Sequence, residues 1–159
     1  MQDKLVIAID FDGTCVTHEY PKVGKDIGAV PVLKRLVAEG HRLMLWTMRG
    51  NKTNTTLDDA VQWFKDNDIP LWGINENPEQ KESGWSLSNK QYAQLYLDDA
   101  ALGCPLIHPY DVAVREADGS FREPYSSRPF VDWQKVELML EDNGVLPYEK
   151  RLENVRILD

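Results

Sequence analysis

The chain reads as an α/β domain: a doubly wound parallel sheet with helices on both faces. Two patterns predict this. Short apolar runs at residues 4–9, 42–46 and 94–97 each close on a polar or acidic residue, as central parallel strands buried on both faces do. Between and after them, apolar residues recur at helical spacing and stop at Gly or Asn, so strand and helix alternate.

Residues 4–9 form the first strand, closed by Asp10. Val30, Leu33, Leu36 and Val37 then mark a helix that Gly40 ends. The second strand, 42–46, ends at Thr47, and Leu57, Ala60, Val61 and Phe64 mark a second helix that fades at Asn67-Asp68. Thr55 and Asp58 have the spacing of a capping pair at its start. Residues 70–74 predict a shorter third strand, followed by a polar loop through Ser88, and 94–97 a fourth, closed by Asp98-Asp99. Residues 105–107 are a candidate fifth strand. Residues 108–129 read as irregular surface chain with a turn at Asp118-Gly119, and a last amphipathic helix places Trp133, Val136, Met139 and Leu140 on one face before Asn143-Gly144.

With 159 residues, 42% apolar and 28% charged, the composition is that of one globular domain spanning 1–159. The apolar run near Met1 is too short for a signal-peptide core or a membrane span, which predicts a cytoplasmic protein with no membrane partner. Cys15 and Cys104 lack metal-site or disulfide spacing and read as reduced, buried thiols. A net charge of −8 disfavours long nucleic acid, whose binding draws on clustered Lys and Arg.

The chemistry gathers at the carboxyl ends of the predicted strands: Asp10 with Asp12, then Thr47, then Asp98-Asp99. Ends of neighbouring parallel strands lie close together, so these residues are expected to converge on one crevice. Crowded carboxylates call for a divalent cation, and hard oxygen donors beside a phosphate suit Mg²⁺. Arg49 is either a surface cation or a ligand for substrate phosphate or for a carboxylate. His18 and Tyr20 either contact substrate or belong to a solvated loop. Lys90 is the candidate site lysine, with Lys81 as its competitor.

The segment Asp10-Phe-Asp-Gly-Thr14 after an apolar strand resembles the first signature of the haloacid dehalogenase superfamily, and Thr47, Lys90 and Asp98-Asp99 match its second, third and fourth signatures in order. The resemblance covers most of residues 4–107 and implies a Rossmann-like core with phosphohydrolase activity. It implies Asp10 as the nucleophile that takes the phosphoryl group and Asp12 as general acid and then base. Thr47 and Lys90 would contact the phosphoryl group. Asp10, Asp98 and Asp99 would hold Mg²⁺, with the main-chain carbonyl of Asp12; which acid of the pair is the inner ligand stays open. Neither customary insertion point has room for a full cap domain, so access is expected to be controlled by residues 108–140 or by a second subunit in a homo-oligomer. The substrate class ranges from small phosphate esters to a phosphorylated macromolecule. The rival reading is a non-catalytic phosphate- or metal-binding domain, or a signalling phosphoacceptor. In receiver domains, though, the acid pair closes the first strand, an order this chain lacks.

Overall fold

The computed structural model describes residues 3–80, 82–84, 86–109, 115–120 and 128–149. Four parallel strands form one sheet in the order β3-β2-β1-β4: β1 Val6–Ile9, β2 Arg42–Leu45, β3 Gly73–Ile74 and β4 Leu95–Leu97. β1 lies between β2 and β4, with Ile9 opposite both Leu45 and Leu97. Ile7, Ala8 and Ile9 are all buried, which explains why this strand is apolar at successive rather than alternate positions.

Three helices accompany the sheet: α1 Ala29–Ala38, α2 Thr56–Asp66 and α3 Trp133–Asp142. All three feed one buried cluster. Leu33 and Leu36 of α1, Ala60 and Phe64 of α2, and Trp133, Val136 and Leu140 of α3 join Ile7, Ile9, Leu43, Leu45 and Leu97. Ala8 and Met44, at the alternate strand positions, are buried outside that cluster. Among the described residues, all three helices thus contribute to this one cluster. Tyr96 follows the same alternation as Ala8, its register partner, and its hydroxyl donates to the Gln91 carbonyl in the segment between β3 and β4.

Other expectations are revised locally. β3 is shorter than 70–74, although the Trp72 N–H still donates to the Leu43 carbonyl. The fifth strand exists as Leu106–Ile107 but stays off the parallel sheet. It pairs antiparallel with a strand at Phe130–Val131 (β6), so the chain beyond 107 supplies its partner. Thr55 makes no side-chain cap at α2. Asn54 Oδ1 accepts from Thr56 N, and Asn51 Oδ1 accepts from Leu57 N and Asp58 N, so two asparagines satisfy the exposed donors. In α3 the buried face runs through Trp133, Val136 and Leu140, while Met139 is half exposed and Glu141 takes a buried place against Arg35 of α1.

The core is not confined to residues 4–107. Val131, Trp133, Val136, Leu140 and Leu146 belong to the main cluster. The segment over Asp118-Gly119 does turn, with Ser120 N donating to Asp118 Oδ1. Of the chain considered above as a cover for the site, residues 110–114 and 121–127, which include Tyr110, Phe121 and Tyr125, lie outside the described residues. Cys15 is buried and Cys104 partly so, and both are free thiols. Among the described residues no helix is long and apolar enough to cross a membrane.

Candidate active site

β1 and β4 are adjacent, so the loops that follow them meet. Asp10 N donates to the Leu97 carbonyl, which sets the end of β1 beside the acids that follow β4. Carboxylate oxygens of Asp10, Asp98 and Asp99 all lie within 4.8 Å of one another. One oxygen of each acid is held by a donor of the protein. Thr14 Oγ1 donates to Asp10 Oδ2 at 2.7 Å, Ala100 N donates to Asp98 Oδ1 at 2.8 Å, and His18 Nε2 lies 2.9 Å from Asp99 Oδ2. Thr14 Oγ1 also accepts from Asp99 N, so this buried hydroxyl joins the two loops. Asp98 also stabilises a turn, its carbonyl accepting from Ala101 N.

Burial pushes the Asp10 carboxyl up to about 7, and the neighbouring charges of Asp98 and Asp99 push the same way, against the hydrogen bonds from Thr14 and the Phe11 backbone. Three hard-oxygen donors of like charge, one of them poorly solvated, could hold a divalent cation. A cation would turn their mutual repulsion into attraction.

Asp12 stands apart from this group. Arg49 grips its carboxylate with two bonds, Nε to Oδ2 and Nη2 to Oδ1, each 2.7 Å. The remaining guanidinium hydrogens go to main-chain carbonyls: Nη1 to Pro21 and Thr56, Nη2 to Lys22. All five donors are thus used. The guanidinium also lies 5.0 Å from the Phe11 ring centroid and 5.3 Å from that of Tyr20. Of the places open to Arg49 in the sequence, the structure shows that of a buried carboxylate partner, and it leaves no donor for substrate phosphate. Tyr20 stacks on that guanidinium.

Thr47 follows β2 at the same edge of the sheet. Its N–H donates to Asn75 Oδ1, and its hydroxyl accepts from Arg49 N while keeping its own hydrogen to donate. Asn75 Nδ2 donates back to the Arg49 carbonyl, so this residue, itself at φ 51°, clamps the 47–49 turn from the end of β3. Lys90 is not brought to the acids. Its ammonium is 5.7 Å from the Tyr96 ring centroid and the side chain is exposed. Lys81 lies outside the described residues.

Three contributors escaped the sequence reading. Thr14 sat in the recognised segment without a role, and Asn75 was visible only as a residue after a short strand. Trp133 gave no signal beyond its helical periodicity, yet its Nε1 donates to the Thr14 carbonyl at 2.7 Å, and Val131 N donates to the Gly13 carbonyl. The chain beyond 107 therefore anchors the loop that carries Asp10 and Asp12.

Fold and site together define an α/β protein with a cluster of three acids at the carboxyl edge of a parallel sheet. A scan of family models and a search of curated proteins found no match. Among solved structures, the chain is similar to a conserved protein coded by a locus of Bacteroides thetaiotaomicron, at 30% identity and a TM-score of 0.61 over 89% of this chain and 93% of that one. The chain belongs to the same family as that bacterial protein.

Proposed function

We propose that the protein is a magnesium-dependent phosphomonoesterase of the haloacid dehalogenase type, acting through an aspartyl phosphate on Asp10. The observation that carries the reading is the convergence of Asp10, Asp98 and Asp99 within 4.8 Å at the ends of adjacent strands, in the order of the recognised signatures. We read the sheet as doubly wound, because the strand order leaves β1 in both directions. The acids then stand where the winding reverses, the usual ligand crevice of such sheets.

Bound Mg²⁺ would supply charge neutralisation for Asp10, Asp98 and Asp99 and for the phosphoryl oxygens. Asp10 attacks phosphorus, and the bond to the leaving oxygen breaks as Asp12 donates its proton there. Water then attacks the aspartyl phosphate, Asp12 takes the water's proton, and the bond to Asp10 breaks, releasing inorganic phosphate. The Thr47 hydroxyl donates to a phosphoryl oxygen. Because Arg49 holds both oxygens of Asp12, acid catalysis requires one of those bonds to open when substrate arrives. Lys90 must likewise leave Tyr96 to reach the phosphoryl group.

These two requirements favour a second reading, a phosphoacceptor or phosphate-binding domain that keeps the acceptor without turnover. One assay separates them. Sustained Mg²⁺-dependent hydrolysis of a generic aryl phosphate, abolished in Asp10→Asn, is the expected result. Release of the aryl alcohol that never exceeds one equivalent, or none from any ester, rules out the enzyme.

A further inference from the structure

We infer that His18 is a positioning residue that sets the Asp99 carboxylate for the metal; the inference rests on the phosphatase reading above. The donors to Asp10 and Asp98 come from four and two residues away, whereas His18 reaches Asp99 across 81 residues of sequence. It therefore fixes the loop after β1 against the loop after β4 at the point where their acids meet. The contact is shielded, with side-chain exposures of 12% for His18 and 17% for Asp99, so water competes poorly for the bond.

The local backbone is shaped around this pair. Gly13 has φ +81°, a conformation that glycine adopts without strain, and a Cβ there would collide with both the His18 ring and the Asp99 carboxylate. His18 thus lies across a site that only glycine leaves open. Its ring closes the space between Gly13 and Asp99, and its Nε2–H tautomer donates to Oδ2. His18 holds Oδ2 while Oδ1 lies 3.5 Å from Thr14 Oγ1, which fixes the direction in which Asp99 presents its oxygens, and loss of such outer partners typically weakens metal binding about 10- to 100-fold. His18 is accordingly placed as the partner of a metal ligand.

Calorimetric titration of MgCl₂ into the full chain tests this. His18→Phe keeps a ring but removes the donor, and His18→Gln returns an N–H at a similar reach. His18→Phe is expected to raise the Mg²⁺ dissociation constant about tenfold or more, and His18→Gln to restore it close to the parent's. The Mg²⁺ concentration for half-maximal aryl phosphate turnover should move in step. If His18→Phe does not fold, His18→Ala supplies the same comparison. A parent that binds Mg²⁺ and hydrolyses the ester while the donor-less variant binds Mg²⁺ equally well overturns the inference alone. A parent that binds no Mg²⁺ overturns the phosphatase reading and this inference with it.

Discussion

At the scale of the residue, Asp10 is where environment changes chemistry most. Its folded carboxyl titrates at about 7 against an ordinary value of 3.8, chiefly through burial. With the folded value raised, the native state holds more protons than the unfolded chain between about pH 4 and 7, so metal-free stability should fall as pH rises through that window and level off above it. Asp10→Asn has no carboxyl to ionise. Metal-free, it should be the more stable protein at pH 8 and gain little at pH 5, as read from urea midpoints in chelator. Parallel pH profiles for the two proteins would show that Asp10 carries no such cost. Asp10, Asp12 and the Asp98-Asp99 pair were legible in the sequence because acids that close apolar strands must share one edge of a parallel sheet. Arg49 was only half legible. Its charge and position were visible, but which of its possible partners it takes depends on where Pro21, Lys22 and Thr56 present their carbonyls, and no periodicity encodes that.

At the scale of the element, the four parallel strands and three helices follow the hydrophobic pattern, and departures occur where side-chain partners decide. The start of α2 is capped by Asn51 and Asn54 because these amides reach the free N–H groups and Thr55 does not. α3 buries Glu141 in place of Met139 because Arg35 of α1 offers it a hydrogen bond at 3.1 Å, with Glu137 sharing the same Nη1 at 2.6 Å. This ion pair joins two helices across the core. Arg35→Ala removes this hydrogen-bonded cation from the buried Glu141 carboxylate, a change that typically costs about 3 kcal/mol or more. Chemical denaturation should therefore show a large drop in the unfolding midpoint. A loss of no more than about 1 kcal/mol, the range of an exposed pair, would mean that water already solvates Glu141.

At the scale of the whole molecule, the resemblance covered residues up to about 107, but the hydrophobic core does not end there. Val131, Trp133, Val136, Leu140 and Leu146 fill the same cluster as β1 and β2. Deleting them would strip one side of α1 and expose Leu33 and Leu36. A chain ended at residue 107 is expected to lack a cooperative thermal transition and dispersed amide resonances; a well-dispersed spectrum from that fragment would show the extension to be an accessory. Residues without a recognised motif can complete a core, and their role was illegible because long-range packing leaves only a local helical period in the sequence. The bond from Trp133 to Thr14 crosses 119 positions, which has a consequence for the order of events during synthesis. The segment bearing Asp10 is made well before α3, yet the Trp133 bond that pins its loop cannot form until α3 has emerged. A nascent chain therefore carries Asp10 and Asp12 long before it carries the tryptophan that anchors their loop.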